Sequence, residues 1–268
     1  MTTKRRHDLM MIDIVEALAF SNFLADEAGP IARRYFRHEM VVDNKPDRSP
    51  VTVADREIES HLRSLIRARF PEHGILGEEQ GRYATQSEYV WVLDPIDGTK
   101  SFISGVPLFG TLIALLHWGR PILGVVDHPM LNERWVGRPG QGASYNGKPC
   151  RTSGCQQLAN AIVMTTSPDS YGSEDYARFS RVSLKARLRR FGGDCYSYAL
   201  LASGHVDAVF GASLEPYDFM PMVALVEAAG GIITGWQGET LSIDRHDGRV
   251  VVSASAALHA ELLNQLNA

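Results

Sequence analysis

Between Trp91 and Phe102 the chain reads Trp-Val-Leu-Asp-Pro-Ile-Asp-Gly-Thr-Lys-Ser-Phe, which sets two carboxylates, a turn and a hydroxyl side by side. With Pro95 fixing the backbone, Asp94 and Asp97 can face one pocket, and the Ile96 carbonyl can point into it as a neutral oxygen. Carboxylates gathered in this way repel one another unless a cation neutralises them, and oxygen donors suit Mg²⁺ together with phosphate. Asp94 is then the residue placed to bridge two ions. Gly98 and Thr99 open a helix, whose free N–H groups can hold an anion. A Thr99 hydroxyl that accepts from a water and donates to a carboxylate would aim that water at phosphorus, and Asp55, at the start of its own helix, is the carboxylate best placed for the task. Glu78 and Glu79 follow another strand, and Asp218 begins a late helix. Each acid taken alone also reads as a turn or cap residue. Together they point to metal-assisted hydrolysis of a phosphate ester.

The elements that must position these groups follow from periodicity. Apolar residues from Met10 to Phe36 recur three or four apart, which predicts an amphipathic helix that Gly29-Pro30 kinks or splits. Asp43 to Pro50 reads as an irregular or extended connection. Thr52 and Asp55 form a capping-box-like start to a helix ended by Pro71. Ile75-Leu76 is a short strand, Val90 to Leu93 a buried one that Pro95 should stop, and Thr111–Trp118, Pro121–Val126 and Glu133–Val136 are three more. Asn146-Gly147 predicts a type I′ hairpin joining Ala143–Tyr145 to Lys148–Cys150. Strands and helices then alternate: strand 161–165, helix 175–182, strand 186–191, helix 194–202 and strand 206–210. A helix from Asp218 with Pro221 in its first turn, strands at Ile232–Thr234 and Val250–Ser253 and a terminal helix at Ala256–Leu266 close the chain. Helices with a mostly antiparallel sheet, followed by alternation, predict a layered α+β and α/β arrangement with a mixed second sheet.

At 268 residues, with 44% apolar and 22% charged residues, the chain has the composition of a globular protein with a sizeable core. A net charge of −4 argues against a broad nucleic-acid-binding face. Three unevenly spaced cysteines, Cys150, Cys155 and Cys195, exclude a disulfide framework or a four-ligand zinc site, so a reducing cytoplasm is the expected location. No apolar run approaches the roughly 20 residues that span a bilayer, and acidic interruptions after Lys4-Arg5-Arg6 exclude a signal-peptide core.

Four motifs in order resemble the inositol monophosphatase superfamily. They are Lys45-x-Asp47 with Pro50-Val51-Thr52-x-Ala54-Asp55, then Gly77-Glu78-Glu79, then Asp94 to Thr99, and lastly Tyr217-Asp218 with Glu227 to Gly231. The resemblance covers nearly the whole chain. It implies one inositol-monophosphatase-like domain, with sub-halves of about 1–155 and 156–268, in an α-β-α-β-α sandwich that is usually dimeric. It also implies two to three Mg²⁺ per active site. Glu78, Asp94 and the Ile96 carbonyl would hold the first ion. Asp94, Asp97 and Asp218 would hold the second, and Glu78 would help hold a third through water. Gly98 and Thr99 would offer N–H groups to the phosphate beside Asp97, and the Asp55–Thr99 pair would activate water. Arg190 to Tyr198, Leu214 to Phe219 and Thr165 to Pro168 look like the histidinol-phosphate phosphatase branch. That ranks L-histidinol phosphate first as substrate, inositol monophosphate second, and fructose bisphosphate or a 3′-phosphonucleotide third. A protein-binding module on the same fold is the non-enzymatic alternative. Many members carry an acid near Gly211 that touches the leaving group; its absence leaves Asp194 to contact the substrate amine or hydroxyl, unless Asp194 merely caps its helix. Cys195 reads as a small pocket or core residue rather than a nucleophile.

Overall fold

The computed structural model describes residues 12–39, 42–44 and 50–268. Met10, Lys45 and Asp47 lie outside these residues, so the expectations placed on them are not addressed. The amphipathic N-terminal stretch forms α1 (Ile14–Tyr35), which runs on through Pro30 as one helix. Of the expected kink or split at Gly29-Pro30, the split does not occur. The buried stripe Leu24, Ala25, Ala28, Gly29 and Ala32 crosses the proline, so packing holds the helix together where one N–H is missing. Strands β1 (Val42–Asn44) and β2 (Pro50–Thr52) pair antiparallel, giving the ends of the expected irregular connection a small ribbon. Thr52 then caps α2 (Val53–Arg69) in a box with Asp55, as its sequence spacing predicts.

An eight-stranded sheet follows, built from β3 (Gly74–Gly77), β4 (Gly81–Tyr83), β5 (Tyr89–Asp97), β6 (Gly110–His117), β7 (Arg120–His128), β8 (Glu133–Arg138), β9 (Gly142–Tyr145) and β10 (Lys148–Cys150) in the order β10-β9-β8-β7-β6-β5-β3-β4. Every pairing is antiparallel except β3 with β5. Strand β5 continues through Pro95, against the expectation that proline would stop it. The register with β6 slips between Asp94 and Asp97, so the residue lacking an N–H sits in a bulge, and its carbonyl accepts the Thr111 hydroxyl at 2.8 Å. The short helix α3 (Thr99–Ile103) begins directly after the strand. The hairpin at Asn146-Gly147 has positive φ at both residues, 46° and 76°, as a type I′ turn requires.

The second sheet takes β11 (Ile162–Thr165), β12 (Leu188–Phe191), β13 (Ala208–Gly211), β14 (Ile232–Thr234) and β15 (Val250–Ser253) in the order β12-β11-β13-β15-β14. It is mixed, with β11 parallel to both β12 and β13 and the other pairs antiparallel. Helices α4 (Ser173–Ser183), α5 (Asp194–Ala202), α6 (Pro216–Ala228) and α7 (Ala256–Leu266) complete the chain.

Alternation along the strands sorts the side chains into layers. Trp91, Leu93, Ile113 and Leu115 face α1 and α2, while Val90, Val92, Leu112 and Ala114 face α5 and α6. The far side of α5 and α6 packs on Met164, Val209, Val250 and Val252 of the small sheet, whose other face meets α4 and α7 through Val163, Phe210 and Val251. This is the expected α-β-α-β-α sandwich. Burial on both faces explains why β5 and β6 read as continuous apolar runs rather than as alternation. Truncating the fully buried Trp91 to Ala would cost about 3–5 kcal/mol. Helix α6 is apolar nearly all round because it lies between two sheets. Its backbone approaches so closely that a Cβ on Gly124 would stand 2.4 Å from the Pro221 carbonyl oxygen, and one on Gly137 would stand 2.3 Å from Leu225 Cα. Among the described residues, no helix is long and apolar enough to cross a membrane.

Candidate active site

The bulge at Pro95 aims the end of β5 at the N-terminus of α6. There one carboxylate oxygen from each of Asp94, Asp97 and Asp218 lies within 4.8 Å of the others. Asp218 is not the first residue of its helix, as the sequence suggested; α6 begins at Pro216, and Asp218 in the first turn accepts the Glu215 N–H at 2.8 Å. Asp94 is 1% exposed. Burial first, and then the charges of Glu78, Asp97 and Asp218, push its carboxyl well above the ordinary range, and Asp218 is pushed up by burial and Asp97. Asp97 is raised to about 7 by burial and by Asp194. Asp94 is crowded by the like charges of Glu78, Asp97 and Asp218, which oppose its ionisation unless a cation or a proton offsets them. Its Oδ1 is buried with no hydrogen-bond partner. Among the described residues, no Lys, Arg or His forms an ion pair with Asp94, Asp97 or Asp218. Buried, crowded and lacking a countercharge, this donor set fits a hard divalent cation.

A second acidic group adjoins the first. Asp55, Glu78 and Glu79 bring one oxygen each within 4.8 Å. Asp55 Oδ2 accepts the Thr52 N–H at 2.8 Å and the Thr52 hydroxyl at 2.5 Å, while its Oδ1 is buried without a partner and burial lifts the carboxyl to about 7. The turn carrying Glu78 and Glu79 is held from below by Glu59, which is fully buried on α2. Glu59 accepts the Glu79 N–H at 2.6 Å, the Gln80 N–H at 2.9 Å and Arg63 Nε at 2.7 Å, and Arg63 also donates to the Gly81 carbonyl. Gly77 makes room for this pair, since a Cβ there would meet Glu59 Oε1 at 2.3 Å.

The third side of the site is the N-terminus of α5. Gly192, Gly193 and Asp194 all have positive φ, which points the first N–H groups of the helix back at β5. Cys195 N–H donates to Asp97 Oδ2 at 2.7 Å. Asp194 does not cap its helix: Gly193 is the N-cap, and Asp194 Oδ2 accepts the Ser101 hydroxyl at 2.6 Å. Its carboxyl packs on the Gly98 turn, where φ is +85° and a Cβ would stand 2.9 Å from Asp194 Oδ2. Asp97, Asp194 and Asp218 line a cleft of about 160 Å³ that reaches Thr165 and Gly211. A larger cavity of about 840 Å³ shares none of these residues and lies between α1 and β7–β9. The carboxylates, not cavity size, decide where the chemistry is. At Gly211 the place of a side chain is taken by Leu214, 2.6 Å from a would-be Cβ, and the Tyr198 hydroxyl, 2.7 Å away. Cys195 is buried and its thiol is pushed well above its usual range by burial, as befits a packing residue.

The structure thus brings Glu78, Asp94, Asp97 and Asp218 to one place, with Gly98 and Asp194 at its edge. Thr99 and Asp55 are not hydrogen-bonded to each other. The Thr99 hydroxyl donates to the Ile96 carbonyl at 3.1 Å, the same oxygen expected to face the cation. Sequence reading missed three positioning groups: Glu59 with Arg63, Ser101, and the Cys195 N–H. Only the first leaves a signal, an acid and a base four apart inside the apolar stripe Ile58, Leu62 and Ile66.

Residues 13–268 match the model of the inositol monophosphatase family. The chain is 44% identical over 256 residues to a protein of Arabidopsis thaliana named bifunctional phosphatase IMPL2, chloroplastic, covering 92% of this chain and 74% of that protein. It is 36% identical to a histidinol-phosphatase of Chlorobaculum parvum, covering 90% of this chain and 92% of the relative. Among solved structures, an inositol monophosphatase from Zymomonas mobilis superposes with a TM-score of 0.87 at 40% identity, covering 96% of this chain and all of the other.

Proposed function

This chain belongs to the inositol monophosphatase family, and from that premise we propose that it is a Mg²⁺-dependent phosphomonoesterase acting on a small phosphorylated metabolite, with L-histidinol phosphate first and inositol monophosphate second. The observation that carries the chemistry is Asp94 Oδ1, buried and unpartnered beside Asp97 and Asp218, with which no Lys, Arg or His among the described residues forms an ion pair. Asp94, Asp97 and Asp218 would hold one ion, and Glu78, Asp94 and the Ile96 carbonyl another. When bound, Mg²⁺ supplies Lewis-acid charge that lowers the pKa of water and neutralises the departing alkoxide. The remaining tasks belong to the protein. The first N–H groups of α3, after Gly98, would be offered to the phosphate. Cys195 N–H fixes which Asp97 oxygen remains for a ligand. Thr99, whose hydroxyl donates to the Ile96 carbonyl, keeps its oxygen free to accept from a water; donation to Asp55 would require that proton to turn away from Ile96. Glu59 and Arg63 hold the turn that follows Glu78 through the Glu79 and Gln80 N–H groups and the Gly81 carbonyl.

Three features support an amino-alcohol phosphate over an inositol phosphate. Relatives matched along nearly their whole length include proteins named histidinol-phosphatase. The space beside Gly211 is filled by Leu214 and Tyr198, so no acid can reach a sugar hydroxyl from that position. Asp194, no longer needed as a cap, presents a carboxylate at the rim of the cleft, which suits a substrate ammonium. The test is phosphate release from L-histidinol phosphate, inositol monophosphate, fructose bisphosphate and a 3′-phosphonucleotide, each with and without Mg²⁺. Histidinol phosphate should give the highest kcat/KM. A preference for inositol monophosphate would install the second reading, and no Mg²⁺-dependent release from any of the four would sink the enzymatic one.

A further inference from the structure

The cavity of about 840 Å³ between α1 and β7–β9 lies within the size range of small-molecule sites and is used by nothing described above. We propose that it is a second ligand site, built for a free amino acid or a closely similar small carboxylate. The argument rests on its charges. Three arginines line it, and among the described residues only Arg134 is hydrogen-bonded to carboxylates, donating to Asp127 at 2.7 Å and to Asp26 at 2.8 Å. Arg33 donates to a neutral acceptor, the Pro129 carbonyl at 2.9 Å, and feels the Asp127 charge without a hydrogen bond to it. The Arg138 side chain makes no hydrogen bond or ion pair among the described residues, and its Nε is buried without a partner. A buried N–H left unmet is destabilising, so the groove is incomplete without an acceptor. A guanidinium fork matches a carboxylate with two parallel hydrogen bonds.

The opposite charge is also present. Asp26 has one oxygen on Arg134 and its side chain is 66% exposed, which leaves its second oxygen for an ammonium. Leu18 and Val136 add an apolar wall for a side chain. Cations for a carboxylate, an anion for an amine and an apolar surface between them are the complement of an amino-acid zwitterion. This inference does not depend on which phosphate ester the carboxylate cleft hydrolyses.

The experiment is calorimetric titration of the full chain with each of the common amino acids, followed for any that binds by the matching amino alcohol, which lacks only the carboxylate. At least one amino acid should bind in the millimolar range or tighter. Its amino alcohol should bind at least about tenfold more weakly, and so should the original ligand to Arg138→Gln and to Arg33→Gln, each of which removes a charge-assisted hydrogen bond. Either variant suffices if the other fails to fold. Equal binding of acid and alcohol, affinity indifferent to both substitutions, or no binding at all would overturn the proposal. So would concentration-dependent protection of residues 138–146 from hydrogen exchange, because a second copy would then cover the groove.

Discussion

Two buried acidic regions meet beneath the Gly77–Gln80 turn, and the protein treats them differently. Glu59 is fully buried, yet each of its oxygens has protein donors, Arg63 among them. Asp94 is equally buried, yet its neighbours are Glu78, Asp97 and Asp218, and one of its oxygens has no partner. The chain places an arginine beside a buried carboxylate where the carboxylate serves as structure. Among the described residues none pairs with Asp94, Asp97 or Asp218 at the end of β5, where an arginine would occupy the place of a ligand cation. A countercharge present or absent therefore separates support from site, and four measurements can break or sharpen that distinction.

The largest effect should come from Asp97→Asn. Removing one charge from the ring should lower kcat by about 10³-fold or more, the scale on which lost transition-state charge stabilisation is felt. The variant should melt no lower than the parent in EDTA, because it relieves repulsion that burial makes costly. It should also lose most of the rise in Tm that Mg²⁺ gives the parent. Substantial residual kcat would mean that Asp97 is structural and that the two regions differ less than their contacts imply. Next comes Arg63→Met, which strips the countercharge from Glu59. Leaving that carboxylate buried and uncompensated should cost about 3–5 kcal/mol in denaturant unfolding. A cost below about 1 kcal/mol would show that the pair is not what holds the Glu78–Glu79 turn.

How much of this was legible in the sequence follows from how far apart the partners lie along the chain. Asp94 to Thr99 could be read because their chemistry is contiguous, and the Thr52–Asp55 box because it is local. The apolar runs of β5 and β6 gave the buried sheet, but not the passage of β5 through Pro95. That depends on a bulge whose carbonyl is met by Thr111 on the neighbouring strand. That α1 is not split at Pro30 has a similar reason, since propensity counts a lost hydrogen bond and not the buried stripe that compensates for it. Glu59 and the N–H groups it holds are about 20 residues apart, and Ser101 and Asp194 are 93 apart, so no spacing rule links them. The fold was legible in outline, the acids in identity, and the supports only in space.

Acid should separate the carboxylates from a third kind of buried titratable group. His128 is fully buried, its Nδ1 is bonded to the Phe109 carbonyl, and burial lowers its pKa to about 4. His259, between the hydroxyls of Thr234 and Ser253, is lowered to about 4 as well. Between about pH 6.5 and 4 the unfolded chain takes up these protons while the folded chain does not. Stability should therefore fall as the pH drops through that window, by on the order of 3 kcal/mol for a histidine with no solvent exposure. Asp55 and Asp97, raised to about 7, act with the opposite sign in metal-free protein, since the folded state holds their protons at a pH where the unfolded state has released them. Denaturant midpoints in EDTA from pH 8 to 4 should show the two contributions opposing each other. His128→Gln should flatten the acid limb and leave the limb above pH 6.5 unchanged. An unaltered acid limb would locate the sensitivity elsewhere.

The smallest effect concerns the rim. Asp194 sits between the two kinds of region, for it has a protein donor in Ser101, yet it faces the cleft and lies beside Asp97. If its carboxylate meets a substrate ammonium, Asp194→Asn keeps the Ser101 contact and the packing on Gly98 while removing only the charge. KM for L-histidinol phosphate should then rise about tenfold, the scale of one charge-assisted hydrogen bond, while KM for an uncharged aryl phosphate stays within about twofold. Ser101→Ala frees the same carboxylate without neutralising it, so it should raise KM for histidinol phosphate less than Asp194→Asn does. Equal increases for both substrates would mean that Asp194 shapes the Gly98 turn and belongs with Glu59 as support. An increase confined to the amine would place it with the carboxylates that the chain leaves open for a ligand.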